Sequence, residues 1–294
     1  MKLFRMLLAG ALLATACGPT HRSLGRRIDR TIDGLDARTG VAIRLPDGST
    51  LLRGDTLLPL LSVFKFPVAL AALHRAAAER LPLATCLDVG PEWLDPDTYS
   101  PLRDSLPPEG GSVPFETLLR CCVSSSDNIA CDRLLDFAGG PAAVDAYVRS
   151  LGIGAIRIAA SERTMHLATE NQRINVARPS AVCALFARFL RGGLLPPEHD
   201  ALLRRLLEAT TTGPDKLWAG VPAGTTLGHK TGSSDRTAEG VRIADNDAGY
   251  IVLPDGRSCI IVVFVTDSRE TDSANAAAIA RIARETCAHI AQKP

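Results

Sequence analysis

Residues 60–70 read LLSVFKFPVAL, and the only polar side chains in the stretch are Ser62 and Lys65. A helix beginning near Ser62 puts Lys65 one turn further on and on the same face, within reach of the hydroxyl. Phe64, Phe66, Val68, Leu70 and Leu73 leave such a helix little face for solvent before His74 and Arg75. Burial favours the neutral amine, and a neutral lysine beside a serine is a base beside a nucleophile. The helix N-terminus adds amide donors at the hydroxyl end. Taken alone the pair also reads as a helix cap with an outward-reaching lysine, because S-x-x-K is expected about once by chance in a chain of this composition.

Two companions single out the first reading. SSSDNIA carries Ser126-Asp127-Asn128 at the head of a helical segment, and GHKTGSS carries Lys230-Thr231-Gly232 in a strand-like one. The chain that holds these three motifs has 294 residues, 46% hydrophobic and 22% charged, which is enough for one large domain or two interleaved ones with a substantial core. It shows no internal period. MKLFRMLLAGALLATAC opens with Lys2 and Arg5, continues through an apolar run from Leu7 to Leu13 and ends in small residues, the pattern of an export signal over residues 1–16. Ala14-Thr15-Ala16 fits ordinary processing, and Ala16-Cys17 fits a lipoprotein junction with the lipid on Cys17, so both readings stand. The mature chain is expected in the periplasm, touching the membrane only through such a lipid. Removal of residues 1–16 takes away two positive charges and no negative ones, moving the formal charge from +1 to −1, and nothing in that balance calls for nucleic acid. The eight cysteines have no framework spacing, and Cys122 and Cys131 stand without a nearby histidine, so no metal or cofactor is expected and disulfide pairing stays open.

The order of elements gives the fold. TGVAIRLPDGSTLLRGDTLLP is a hairpin turning at Pro46-Asp47-Gly48. Helices are expected over about 62–80, 115–122, 128–137, 142–151, 180–191 and 198–209, several closed by glycine pairs. Three strands follow, TTLGHKTGSS, NDAGYIVLPDG and RSCIIVVFVTD, and SANAAAIARIARETCAHIA ends the chain as an amphipathic helix. Strands at both ends with helices between predict an α+β fold, an antiparallel sheet drawn from both chain ends, flanked by helices, with an all-helical domain inserted. The divisions are 17–61 with 210–294 for the α/β domain and 62–209 for the helical insertion, with a site in the crevice between them.

S-x-x-K, S-D-N and K-T-G in this order form the signature of class A β-lactamases and penicillin-binding proteins. The sequence resembles a class A serine β-lactamase along nearly all of its mature length, including YSPL at 99–102, VPAG at 221–224 and NDAGYIVLPDGR at 246–257. The resemblance implies a β-lactam substrate and a covalent mechanism. Ser62 would attack the lactam carbonyl, with Lys65 as base or part of the proton relay. Ser126, helped by Lys230, would pass a proton to the leaving nitrogen. Asn128 would bind the side-chain amide of the substrate, and Thr231 and Ser233 its carboxylate, while the backbone N–H groups of Ser62 and Ser233 would form the oxyanion hole. Glu162, 36 residues after Ser126 in ASERTMHLATENQRIN, would be the deacylating base of the Ω-loop, with His166 positioning the water.

The sequence also departs from the family. His166 stands where asparagine is usual, giving an E-x-x-M-H text that looks like a divergent subgroup. Ala160 and Asn175 replace the arginine and aspartate that usually bridge the Ω-loop, so the geometry of the loop does not carry over. Lys216, near a position where the subgroup often has a substrate-binding arginine, offers a point charge instead of a fork. Tyr99 resembles the aromatic wall of the pocket mouth. The resemblance implies a monomeric hydrolase of penicillins and cephalosporins. A D,D-peptidase or a non-turnover β-lactam sensor are the alternatives; the first would lack Glu162, and the second would need a membrane span and a signalling domain.

Overall fold

The computed structural model describes residues 21–292; the export segment and Cys17 lie outside them. The chain begins with helix α1 (Arg22–Ile32) and the hairpin β1 (Arg38–Arg44) and β2 (Thr50–Arg53). A tight 3₁₀ turn over Leu61–Phe64 leads into α2 (Lys65–Ala78). Then come α3 (Phe115–Ser124), α4 (Asn128–Phe137), α5 (Pro141–Ser150), the single-turn α6 (Glu162–His166), α7 (Pro179–Leu190), α8 (Pro197–Glu208) and the short α9 (Leu217–Gly220). Strands β3 (Thr226–Ser233), β4 (Arg242–Val252) and β5 (Ser258–Ser268) and helix α10 (Asp272–Ala291) complete it. Short strands, turns and the one-turn helix Pro101–Asp104 connect these elements.

The five strands form one antiparallel sheet in the order β2-β1-β5-β4-β3. Because side chains alternate along a strand, β5 sends Ile261, Val263 and Val265 to one face and Ile260, Val262 and Phe264 to the other. The first face is covered by Leu24 and Ile28 of α1 and Ile279, Ile282 and Ile290 of α10. The second packs against α7 and α8, and α2, α3 and α4 continue the same apolar core. Burial on both faces explains why β5 reads as a nearly continuous apolar run.

Helix α2 is the axis of the helical part. Segment 61–78 is long and apolar enough to cross a bilayer by composition, yet here it lies largely inside the protein. Phe66 stacks on Phe186, centroids 4.2 Å apart, and meets Phe189 edge-on at 5.6 Å. A helix enclosed in this way leaves Lys65, at its first residue, no route to solvent, and the side chain is fully buried. Cysteines 86, 121, 122, 131, 183, 259 and 287 are all unpaired.

Candidate active site

The 3₁₀ turn brings Ser62 to the edge strand β3, and the contact depends on a glycine. A Cβ on Gly232 would lie 2.6 Å from the Leu60 carbonyl oxygen and 3.0 Å from the Ser62 amide nitrogen. The third residue of Lys-Thr-Gly is thus fixed by how closely strand and nucleophile turn approach. From β4, Asn246 Nδ2 donates to the carbonyls of Pro59 at 2.8 Å and Leu60 at 3.2 Å and pins the approach to Ser62. Two non-glycine residues of the site hold left-handed backbone, Leu61 (φ 45°) and Ser126 (φ 60°), a conformation kept only where the surroundings enforce it.

Around Ser62 the polar groups interlock. The Ser62 hydroxyl donates to Glu162 Oε1 at 3.3 Å, and Lys65 Nζ meets the same oxygen at 2.9 Å. Lys65 also donates to the Ser126 carbonyl and to Asn128 Oδ1, both at 2.6 Å, and reaches Ser126 Oγ at 3.4 Å. Lys230 donates to Ser126 Oγ at 2.8 Å. Two readings of the sequence are corrected. Among the described residues Lys65 makes no hydrogen bond to the Ser62 hydroxyl, because the α-helix starts only at Lys65 and Glu162 sits between them. Nor does burial leave Lys65 neutral: burial is the largest single influence and pulls its pKa down, but the Glu162 carboxylate, with Cys131 and Cys122 beside it, raises it in sum, so Lys65 is held as a cation. Among the described residues Lys230 has no such counterion in contact. Burial and the charge of Lys65 pull it down to about 7.

The motif at 126–128 divides its labour. Asp127 is wholly buried and structural, capping α4 at Ala130 N while accepting from Ser100 Oγ and Leu102 N, which fastens the segment that carries Tyr99. Asn128 uses both ends of its amide, accepting from Lys65 and donating to Thr98 Oγ1 at 2.9 Å. Tyr99 is exposed at the mouth.

Glu162 opens α6, and its placement rests on two residues beyond the motifs. Asp132 accepts from the backbone N–H groups of Glu162 at 2.7 Å and Arg163 at 2.8 Å. Burial, opposed by those two hydrogen bonds and reinforced by the Glu162 charge, pushes the Asp132 carboxyl up to about 6. Asn175 takes over where a charged bridge is absent: its Oδ1 accepts from Ala159 N and Ala160 N, and its Nδ2 donates to the Ala160 carbonyl. Ala160, buried, needs no charge for this. His166 is exposed and lines the cleft without a hydrogen bond among the described residues.

On the far side of Ser62, Thr231 and Thr212 share a hydrogen bond of 2.6 Å. The Ser233 hydroxyl donates to Asp245 at 2.8 Å, and Lys216 pairs with Asp245 at 2.5 Å while donating to Ser233 Oγ at 2.9 Å. Lys216 is therefore a buried ion-pair partner as well as a lining residue, where the sequence offered only a free cation. Arg242 and Arg236 both bind Asp272 close by. The cleft has two adjoining lobes, about 410 and 460 Å³, that share Ser62, Tyr99, Asn128, Ser233 and Arg242. One is bounded by Lys216, Thr231 and Asp245, the other by Glu162, Met165 and His166.

A signal for the missed residues was present. Asp132 follows Asn128 by one helical turn and so shares its face. Asp245-Asn246-Asp247 is a polar triplet inside a buried strand, where each side chain needs a partner. Among the described residues no group of three or more histidine, cysteine or acidic side chains could hold a metal ion.

Comparison with known proteins agrees with this geometry. Residues 23–290 match the family described as the β-lactamase enzyme family. A β-lactamase of Bacteroides uniformis is 40% identical over 264 residues, covering 89% of each chain. The extended-spectrum β-lactamase PER-1 of Pseudomonas aeruginosa is 36% identical over 89% of this chain and 85% of its own. The crystal structure of a representative class A β-lactamase from Bacteroides cellulosilyticus superposes with a TM-score of 0.88 at 38% identity, covering 92% of this chain and 98% of that one. A serine, two buried lysines and a carboxylate in one cleft, on a fold shared almost end to end with these enzymes, make the chain a member of the β-lactamase enzyme family, a class A β-lactamase.

Proposed function

We propose that this enzyme opens the β-lactam ring of cephalosporins and penicillins through an ester on Ser62 that is hydrolysed by water activated at Glu162. The observation that carries the mechanism is the single oxygen, Glu162 Oε1, facing both the Ser62 hydroxyl and the Lys65 ammonium. As Ser62 attacks, its proton passes to Glu162. Lys65, already a cation, gives a proton through Ser126 to the lactam nitrogen as the C–N bond breaks, and recovers one from Glu162. The chain of contacts from 162 through 65 to 126 supports this relay, and Lys230 adds its own donor at Ser126. The amides of Ser62 and Ser233 hold the developing oxyanion, a feature whose loss costs on the order of a hundredfold to a thousandfold in rate. Water then attacks the ester, with Glu162 as base and His166 at the rim of the water's approach.

The substrate carboxylate is assigned to the lobe of Thr231, Ser233 and Lys216, with Asp245 compensating the lysine. The acyl side chain is assigned to the lobe beside Met165 and His166. The E-x-x-M-H text that resembles a divergent subgroup makes cephalosporins the substrates to try first. No cofactor enters this scheme. Export to the periplasm as a monomer, with Cys17 as the lipid acceptor where processing takes that route, completes the proposal.

A chromogenic cephalosporin tests it. The parent enzyme should turn over, Ser62→Ala should form no adduct, and Glu162→Ala should accumulate a stable ester on Ser62, seen by mass spectrometry, with little turnover. Parental turnover by Glu162→Ala would overturn the assignment of the base.

A further inference from the structure

Helix α1 carries Arg22, Arg26 and Arg30 at successive turns, all exposed, on a stripe apart from the buried Leu24 and Ile28. Neighbouring charges are already engaged: Arg27 pairs with Glu285 at 2.6 Å and Asp29 with Arg53. Among the described residues Arg22, Arg26 and Arg30 form no ion pair. Helix α1 runs antiparallel to α10, as the His21–His289 and Arg27–Glu285 contacts show. Arg281, exposed and one turn before Glu285, therefore extends the patch, and Asp33 at the end of α1 offsets one of its charges.

Helix stability accounts for only part of this pattern. Arg30 lies in the last turn, where a cation complements the helix dipole. Arg22 stands in the first turn, which has no acidic residue, and there a cation opposes the dipole. The stripe is also placed away from the chemistry. Gly25 faces Leu51 and Arg53 of β2, at one edge of the sheet, whereas the catalytic cleft borders β3 at the other.

We propose that this face of α1 docks on an anionic phospholipid surface, laying the three arginines against lipid phosphates with the cleft turned outward. Charge complementarity selects the partner: guanidinium groups bind phosphate through paired N–H donors, and a bilayer presents many phosphates in one plane. The sequence places residue 17 only five positions before Arg22, a reach of roughly 17 Å when fully extended. A lipid on Cys17 would anchor the chain beside this face, and the arginines would then set how the enzyme lies on the membrane. The docking face stands without that lipid and without the hydrolytic mechanism.

The test uses the chain from residue 17 with Cys17→Ser, which removes the acyl acceptor, and co-sedimentation with vesicles at low salt. Binding should rise with the fraction of phosphatidylglycerol in phosphatidylcholine vesicles and fall as salt is added. Each arginine near such a surface is worth roughly a fivefold gain in partitioning, so Arg22→Gln with Arg26→Gln and Arg30→Gln should bind about a hundredfold more weakly. That triple variant should keep the parental melting temperature and cephalosporin turnover. Inorganic phosphate at matched ionic strength should not displace the parent. The proposal is overturned if the parent binds phosphatidylcholine as well as phosphatidylglycerol, if the triple variant binds like the parent, if phosphate alone competes, or if duplex DNA at the same salt is bound as tightly.

Discussion

Replacing Asp132 by asparagine should change how stability depends on pH, by an amount set by the surroundings of that carboxyl. Its pKa stands at about 6 in the folded enzyme, against an ordinary value near 4 in the unfolded chain. The folded state therefore holds the proton more tightly. The resulting stability is fully present below about pH 4 and is lost as pH rises through 6. A rise of roughly two pH units, at about 1.36 kcal/mol each, amounts to about 3 kcal/mol. Asparagine does not titrate. It keeps one acceptor for the Glu162 and Arg163 amides and turns an NH₂ toward the other, a cost of about 1–3 kcal/mol that is the same at every pH. Urea denaturation of parent and Asp132→Asn at intervals from pH 4 to pH 7 separates the two effects. The parent's advantage should shrink by about 2 kcal/mol across the range, less than the full value because the unfolded carboxyl is already half ionised at pH 4. A gap that stays flat would refute the reasoning and show that Asp132 ionises as freely in the fold as in the open chain. The same proton should mark catalysis: when Asp132 is protonated, one oxygen turns a donor toward an amide donor and α6 loosens. Deacylation by the parent should therefore show an acid limb near pH 6 that Asp132→Asn lacks.

Lys230, pulled down to about 7, loses its charge as pH rises through neutrality. Acylation followed by stopped flow should fall on the alkaline side with a limb near 7, and Lys230→Arg, which keeps the charge, should move that limb upward out of range. Gly232→Ala drives a Cβ against the Leu60 carbonyl and the Ser62 amide; acylation should drop at least about a hundredfold, with about 1–3 kcal/mol lost in urea melts. Lys216→Met leaves Asp245 buried without its cation and should cost about 3–5 kcal/mol, whereas adding Asp245→Leu should recover most of it. Equal stabilities of the single and double variants would show that the pair is not coupled.

The parts of this architecture that are periodic or punctuated were legible in the sequence. Alternation and the Pro46-Asp47-Gly48 turn marked the hairpin, glycine pairs closed α4 and α7, and the boundaries of α4 were read to the residue. Helix α1 was not assigned, since it has no side-chain N-cap and only a narrow apolar stripe, and it acquires its place by packing on α10. The candidate site residues stood out because S-x-x-K, S-D-N and K-T-G keep their spacing. Their protonation did not. Whether Lys65 is neutral depends on Glu162, 97 positions away, and no local pattern gives that distance. Asn175 likewise looked like the loss of a bridge, and only the folded loop shows its amide serving three backbone groups.

The hydrogen bonds from Asn246 to the turn before Ser62 have a consequence for how the enzyme comes into being. The groups that set the position of the nucleophile arrive 187 residues after Pro59, and β1 pairs with β5 across more than two hundred. A chain delivered from its N-terminus, by a ribosome or through a translocation channel, thus presents Ser62, Lys65, Ser126 and Glu162 long before they can work together. Contacts so distant in sequence also form slowly. Activity should appear last, all at once, when β4 and β5 close the sheet, so that a nascent or threaded chain carries every catalytic side chain and remains inert.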